Sequence, residues 1–161
     1  MGRLKKGQEE IVGFVVIVVL IAVIALVFLA ISLRKAPVEL NSREVSSFLQ
    51  SASRYTTDCY ISQERRYDVK DLVISCQQGE RCLSGSLACD VLNATLTEMF
   101  NTALNPGEEN KIKAYKSSIR DEVNRTILEL RKGKCTGKIT GAFVSIPSYS
   151  GVTRLELEIC S

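Results

Sequence analysis

Hydrophobic positions divide this chain into one unbroken apolar run and a patterned remainder. Across residues 11–33 no side chain is charged, and only Gly13 and Ser32 are not plainly apolar. The run is longer than the roughly 20 residues that cross a bilayer core of about 30 Å. As a helix it satisfies every backbone polar group internally, which lipid demands. The β-branched series Val15, Val16, Ile17, Val18 and Val19 weakens a helix in water, but a run of this length still reads as a membrane-spanning helix.

Past the run the pattern becomes periodic. Pro37 predicts a break. Asn41 followed by Glu44 forms a capping box, and Val45, Phe48, Leu49, Ala52, Tyr55 and Cys59 then recur at spacings of three and four. They predict one apolar stripe on an amphipathic helix of about four to five turns. Ser46, Ser47, Gln50, Ser51 and Arg54 take the other face, and a lone stripe of this kind must pack on something to be stable. Residues 60–85 read as irregular. Within them 69–76 suggests a short strand with Leu72, Ile74 and Cys76 on one side, and 77–85 suggests a turn-rich, cysteine-bracketed loop.

A second helix is predicted at about 86–104. Its buried face comprises Ala88, Val91, Leu92, Thr95, Leu96, Met99, Phe100, Ala103 and Leu104, with Asp90, Asn93, Thr97 and Asn101 toward water. Asn105-Pro106-Gly107 ends it. Segment 111–132 reads two ways. Ile112, Tyr115, Ile119, Val123, Ile127 and Leu130 fit a helical stripe ending at Arg131-Lys132-Gly133. The same residues also split into strands at about 111–120 and 125–132 around Asp121-Glu122-Val123-Asn124. The C-terminus alternates cleanly, with Leu155, Leu157 and Ile159 opposite Arg154, Glu156 and Glu158. That is a half-buried antiparallel strand at 153–160. The turn Ser148-Tyr149-Ser150-Gly151 joins it to an earlier strand at about 138–146.

At 161 residues the chain has room for one domain and an anchor. The net charge of +3 is small and both signs are scattered, so there is no nucleic-acid footprint. Histidine is absent, which removes the commonest general base and metal ligand. All six cysteines lie beyond the apolar run: Cys59, Cys76, Cys82, Cys89, Cys135 and Cys160. An even count in a small domain points to disulfides and an oxidising compartment. A zinc site is the rival, but there is no CxxC pair and the spacings are too wide for a usual knuckle. Cys135 and Cys160 fall at one end of the predicted C-terminal hairpin and are the preferred pair. The other four allow three connectivities, with Cys59–Cys89 and Cys76–Cys82 favoured. Two sequons, at Asn93 and Asn124, add to the case for an outward-facing domain. Arg3, Lys5 and Lys6 before the run, against Arg34 and Lys35 after it, give only a mild orienting bias.

Just ahead of the apolar run, with the acids Glu9 and Glu10 between, stands Lys5-Lys6-Gly7-Gln8. A secretory signal peptide has a shorter apolar region and a small-residue cleavage site, and Ser32-Leu33-Arg34-Lys35 does not read as one. The leader instead resembles the class III, prepilin-type signal of archaeal type IV pilins and archaellins. In that family a membrane peptidase cuts after the glycine and the apolar helix is retained. The resemblance implies a cut between Gly7 and Gln8. It also implies a long helix whose first half sits in the membrane or a filament core, and whose second half lies on a β-sheet. It tips segment 111–132 toward a hairpin, since pilin heads carry an antiparallel sheet. The chain departs from many type IV pilins at the fifth position of the processed form, where their glutamate is replaced by Val12. Archaellins also lack that glutamate.

The expected architecture is therefore α+β and pilin-like: a basic leader at 1–7, a transmembrane or filament-core helix at 8–36, and a disulfide-stapled extracellular head at 37–161. In that head an amphipathic helix and a second helix pack on a small antiparallel sheet. The implied role is a structural subunit of a type IV pilus-like filament, with an unprocessed, signal-anchored binding or accessory protein as the alternative. The expected partners are the lipid bilayer, a prepilin peptidase-like processing enzyme, and other copies of the N-terminal helix. The expected place is the cell membrane or an extracellular filament. No cofactor, metal or catalytic residue is expected. Glu108-Glu109, Asp121-Glu122 and Arg65-Arg66 read as solvated turn charges, and Tyr149 at the hairpin tip as a contact residue at most.

Overall fold

The computed structural model of the chain describes residues 4–32, 41–60, 62, 65–148 and 151–161. Two units separate, Met1–Glu39 and Leu40–Ser161. Among its described residues the first holds one helix, α1 (Leu4–Ser32). Its 29 residues extend about 43 Å at 1.5 Å each. From Gly13 to Ala30 it is long and apolar enough to cross a membrane, and 0% of that stretch is buried.

The second unit runs α2 (Ser42–Ser53), β1 (Thr56–Tyr60), β2 (Arg66–Asp68), α3 (Val69–Gln77), α4 (Ala88–Leu104), β3 (Ala114–Arg120), β4 (Thr126–Lys132), β5 (Ile139–Ser148) and β6 (Gly151–Cys160). β1 and β2 form a small antiparallel ribbon. The other four make one antiparallel sheet in the order β4-β3-β6-β5. Period-two alternation directs Tyr115, Ile119, Leu155, Leu157 and Ile159 to its inner face, where all are buried. Against that face α2 contributes Val45 and Leu49, and α4 contributes Leu92, Leu96 and Phe100. The Phe100 ring lies 6.0 Å from Phe48 and 5.6 Å from Tyr115, edge-on to the latter. Each such fully buried side chain contributes about 1.5–3 kcal/mol relative to exposure. The outer face carries Lys116, Arg154, Glu156 and Glu158, and an Arg120–Glu156 ion pair at 3.7 Å.

Several expectations hold. Asn41 caps α2, and its N–H donates to the Glu44 carboxylate at 3.4 Å. α4 ends on Asn105, whose φ of 40° is left-handed, a conformation asparagine tolerates at a helix end. Segment 111–132 is the β3–β4 hairpin, with Asn124 at φ 62° in its turn. The C-terminal strands pair as a hairpin from Ile139↔Cys160 to Ser148↔Gly151. Pro37, Tyr149 and Ser150 lie outside the described residues.

Two of the expected elements fail. The amphipathic helix stops at Ser53 instead of running through Cys59. Ser51 and Ser53 turn their hydroxyls back onto the carbonyls of Ser47 and Gln50, which loosens the last turn. The next backbone groups then find partners across the ribbon. Val69 N–H donates to the Tyr55 carbonyl at 3.0 Å, and the Thr57 hydroxyl donates to the Tyr67 carbonyl at 2.9 Å. Tyr55 is 55% exposed, not part of the stripe, and Cys59 is buried from a strand. The second failure is 69–76, which is helical, not extended. Asp68 caps α3 by accepting the Asp71 N–H at 2.8 Å. The buried positions Val69, Leu72, Val73 and Cys76 follow helical spacing, while Ile74 is only half-buried.

Candidate functional site

The leader residues Gly7 and Gln8 fall within the helical backbone of α1. Downstream of them the apolar side chains stand clear on all sides. Phe14 is 69% exposed, Ile17 59% and Phe28 71%, so the exposed surface wraps the helix without a preferred face. An amphipathic helix of a water-soluble domain hides one stripe. α1 from Gly13 to Ala30 hides none, so lipid tails or other helices are the surroundings that suit it.

The cysteines are all paired, which leaves no thiolate for zinc. Cys135 joins Cys160 as the hairpin geometry suggests, with Cα atoms 5.4 Å apart. The other two bonds are Cys59–Cys82 and Cys76–Cys89, which corrects the favoured Cys59–Cys89 and Cys76–Cys82. The helical state of 69–77 explains the exchange. Because α3 packs on α4, Cys76 near the end of one meets Cys89 at the start of the other. Cys82 is left facing β1, where Leu83 N–H donates to the Tyr60 carbonyl at 3.0 Å.

Both sequon asparagines are exposed. Asn93 stands on α4, its amide oxygen accepting from the Thr97 hydroxyl at 3.3 Å. Asn124 occupies the β3–β4 turn, its oxygen accepting from the Arg120 guanidinium at 3.4 Å. The charge pairs read as turn charges are local. Arg125 closes on Asp121 at 2.9 Å, and Arg66 pairs with Asp58 at 3.6 Å while lying 4.8 Å above the Tyr60 ring. Burial pushes the Tyr115 phenol above its ordinary value, and its hydroxyl donates to Asn101 at 3.2 Å. Among the described residues no group of three or more His, Cys, Asp or Glu could hold a metal ion.

One feature escaped the sequence pattern. Between α4 and β1 lies an open groove of about 800 Å³. Leu87, Val91, Ala94 and Met99 supply its apolar floor, β1 supplies Thr56 to Asp58, and its charged lining residues are Asp58, Asp90, Glu98 and Arg81. Arg81, also on the wall, donates to the Gly85 carbonyl at 2.8 Å. The signal for it was the width of the apolar band on α4. Ala88, Leu92, Leu96, Phe100 and Leu104 are buried, whereas Val91, Thr95 and Met99 are half-buried and Ala103 is exposed. The band is wider than one core face needs. Asn93 is about 160° round the helix from Val91 and does not line the groove.

In comparisons with known proteins the chain matches no family model, no curated protein and no solved structure.

Proposed function

We propose that this chain is a pilin-like, membrane-anchored surface protein, a structural subunit of a type IV pilus-like filament whose precursor is cut between Gly7 and Gln8. The observation that carries the reading is α1: a helix with no buried residue from Gly13 to Ala30, whose first turns carry Lys5-Lys6-Gly7-Gln8. Such a helix suits two environments in turn. In a bilayer lipid tails solvate it, and in a filament identical helices keep the same surface from water. A one-sided stripe would suit neither. The head is independent of that exchange, because its own core and three disulfides hold it. The disulfides, together with Asn93 and Asn124 as exposed glycan acceptors, support an outward-facing head. The role is structural, and the chain is itself the substrate of a processing peptidase.

A second reading, a signal-anchored binding or accessory protein that is never extracted, is favoured by Val12. It stands where many pilins carry the glutamate thought to meet a neighbour's new amino terminus. N-terminal mass determination on membrane and sheared fractions from the native host separates the two. A mature chain beginning at Gln8 in the sheared fraction supports the filament, and Met1 retained in the membrane supports the anchor. A Gly7→Arg precursor is expected to leave the sheared fraction empty. Normal filaments from that precursor would overturn the proposal.

A further inference from the structure

The longest stretch of the head without an acidic residue carries a net positive charge. Residues 130–155 contain Arg131, Lys132, Lys134, Lys138 and Arg154 and no acid, while the rest of the chain holds more acids than bases. Four of the five cations lie in 131–138, the end of β4 and the link to β5, where every residue is exposed. This link is held firmly. Cys135 is bonded to Cys160, and Lys138 and Ser161 exchange two backbone hydrogen bonds of 3.0 Å each. Gly133, at φ 83°, passes so close to the Lys113 carbonyl that a Cβ there would collide with it. A cationic loop fixed in this way loses little freedom on docking.

The counterpart is the α4–β1 groove: its lining cation Arg81 is turned to the Gly85 carbonyl and Asp58 is paired with Arg66, which leaves Asp90 and Glu98 as the carboxylates beside its apolar floor. Within one chain, no ion pair among the described residues joins these carboxylates to Arg131, Lys132 or Lys134. Asp58 pairs with Arg66, and Arg131 with Glu129. Neither sequon intrudes. Asn93 is on the far side of α4 from the groove floor. Asn124 is in the β3–β4 turn, at the opposite end of the sheet from Cys135 and Cys160.

We infer that the groove is the docking site for the 131–138 loop of a second copy of this chain. The loop and the groove are different surfaces, so the contact is head-to-tail. Contacts of that kind propagate into rings or open filaments rather than closing as a two-fold pair. The inference deepens the filament reading and rests on it for the supply of neighbouring copies. It assigns the carboxylates of Asp90 and Glu98 to partner ammonium groups at Lys132 and Lys134. Opposite charge sets the register, and the apolar floor gains from exclusion of water.

The test uses the full chain in liposomes, as an equal mixture of isotopically light and heavy protein treated with a zero-length carbodiimide. Amide cross-links joining the Asp90 or Glu98 peptide to the Lys132 or Lys134 peptide, in mixed-isotope form, are expected. Because each reversal also removes a coupling group, its effect is read with a photo-cross-linking side chain at Thr102, an exposed residue of the groove wall. Asp90→Lys with Glu98→Lys should lower the yield of its link to a partner's 131–138 peptide about tenfold, and so should Lys132→Glu with Lys134→Glu. Mixing the two doubly substituted proteins should restore cross-linked pairs, because one groove and one loop in each pair are again complementary. All four positions are exposed, and unchanged thermal melting of each variant confirms that folding is intact. Undiminished photo-cross-linking in either variant, no mixed-isotope amide link in the parent, or no recovery on mixing overturns the inference. The outcome is separable from the filament reading. Mixed-isotope cross-links from a chain that keeps Met1 leave the contact standing and remove the filament. Gln8-terminated filaments assembled normally by both reversal variants do the opposite.

Discussion

Ile17 and Leu92 are aliphatic residues in the two longest helices, but Ile17 is 59% exposed and Leu92 wholly buried. The helices around them differ in the same way. α4 has its partners within the chain: the inner face of the sheet, α3, and the ring contacts of Phe100. No residue of α1 from Gly13 to Ala30 is buried. Hydrophobicity alone therefore does not say where a helix belongs; its distribution round the helix does. A band that covers part of the circumference is answered by a core, and a band that covers all of it is answered by a surrounding apolar medium. The two units are accordingly expected to respond to different perturbations.

Reduction of the disulfides is the largest perturbation. The bonded cysteines are separated by 23, 13 and 25 residues. Closing loops of that size is worth about 3 kcal/mol each in the chain-entropy account, against a typical net stability of about 5–15 kcal/mol for a whole domain. Reductant should unfold the head, read as loss of near-ultraviolet circular dichroism, while the protein stays in the membrane fraction. Release of the reduced chain into the aqueous phase would break the separation between the two units.

The converse perturbation is Val18→Arg. A charge at the centre of a spanning helix costs about 2.5–3.5 kcal/mol on insertion scales. The variant should lose carbonate-resistant membrane association while its head melts at the unaltered temperature. A fall in head melting temperature would show that α1 contributes to the head's stability.

The same contrast explains what was legible in the sequence. α1 needed only composition, because no tertiary partner competes for it. The β5–β6 hairpin was equally plain, since Leu155, Leu157 and Ile159 alternate with Arg154, Glu156 and Glu158 without interruption. The β3–β4 hairpin was not settled by spacing, because Tyr115, Ile119, Val123 and Ile127 recur every four residues. Asn124 in a left-handed turn decides it in the structure. Residues 54–77 were misread for a tertiary reason. Tyr55 and Cys59 continue the helical spacing of α2, but Thr57 and Val69 offer hydrogen bonds across the β1–β2 ribbon that no local pattern reveals. The disulfide exchange followed from that misreading, since cysteine partners depend on which elements pack. The groove was hidden because its apolar residues look like core when only periodicity is counted.

The smallest expected effect tests a single carboxyl group in the head. Asp71 stands in the first turn of α3, where its backbone N–H donates to the Asp68 carboxylate. Partial burial raises its pKa above the ordinary carboxylate range, and the neighbouring charge of Asp68 adds to the rise. Arg65, the Asp68 backbone N–H and Lys70 oppose it. A carboxyl with a raised folded value binds its proton more tightly folded than unfolded, so its contribution is fully present below the unfolded value. That contribution is lost as pH rises through the folded one. Asp71→Asn removes this titration and keeps an oxygen for the Asp68 N–H. The variant should melt slightly higher than the parent at neutral pH, and the difference should vanish in acid below the unfolded carboxylate range. Melting curves of the two proteins across that range, with the disulfides intact, measure it. A difference that grew toward low pH would mean that the charged form of Asp71 stabilises α3, with its opposing partners outweighing burial.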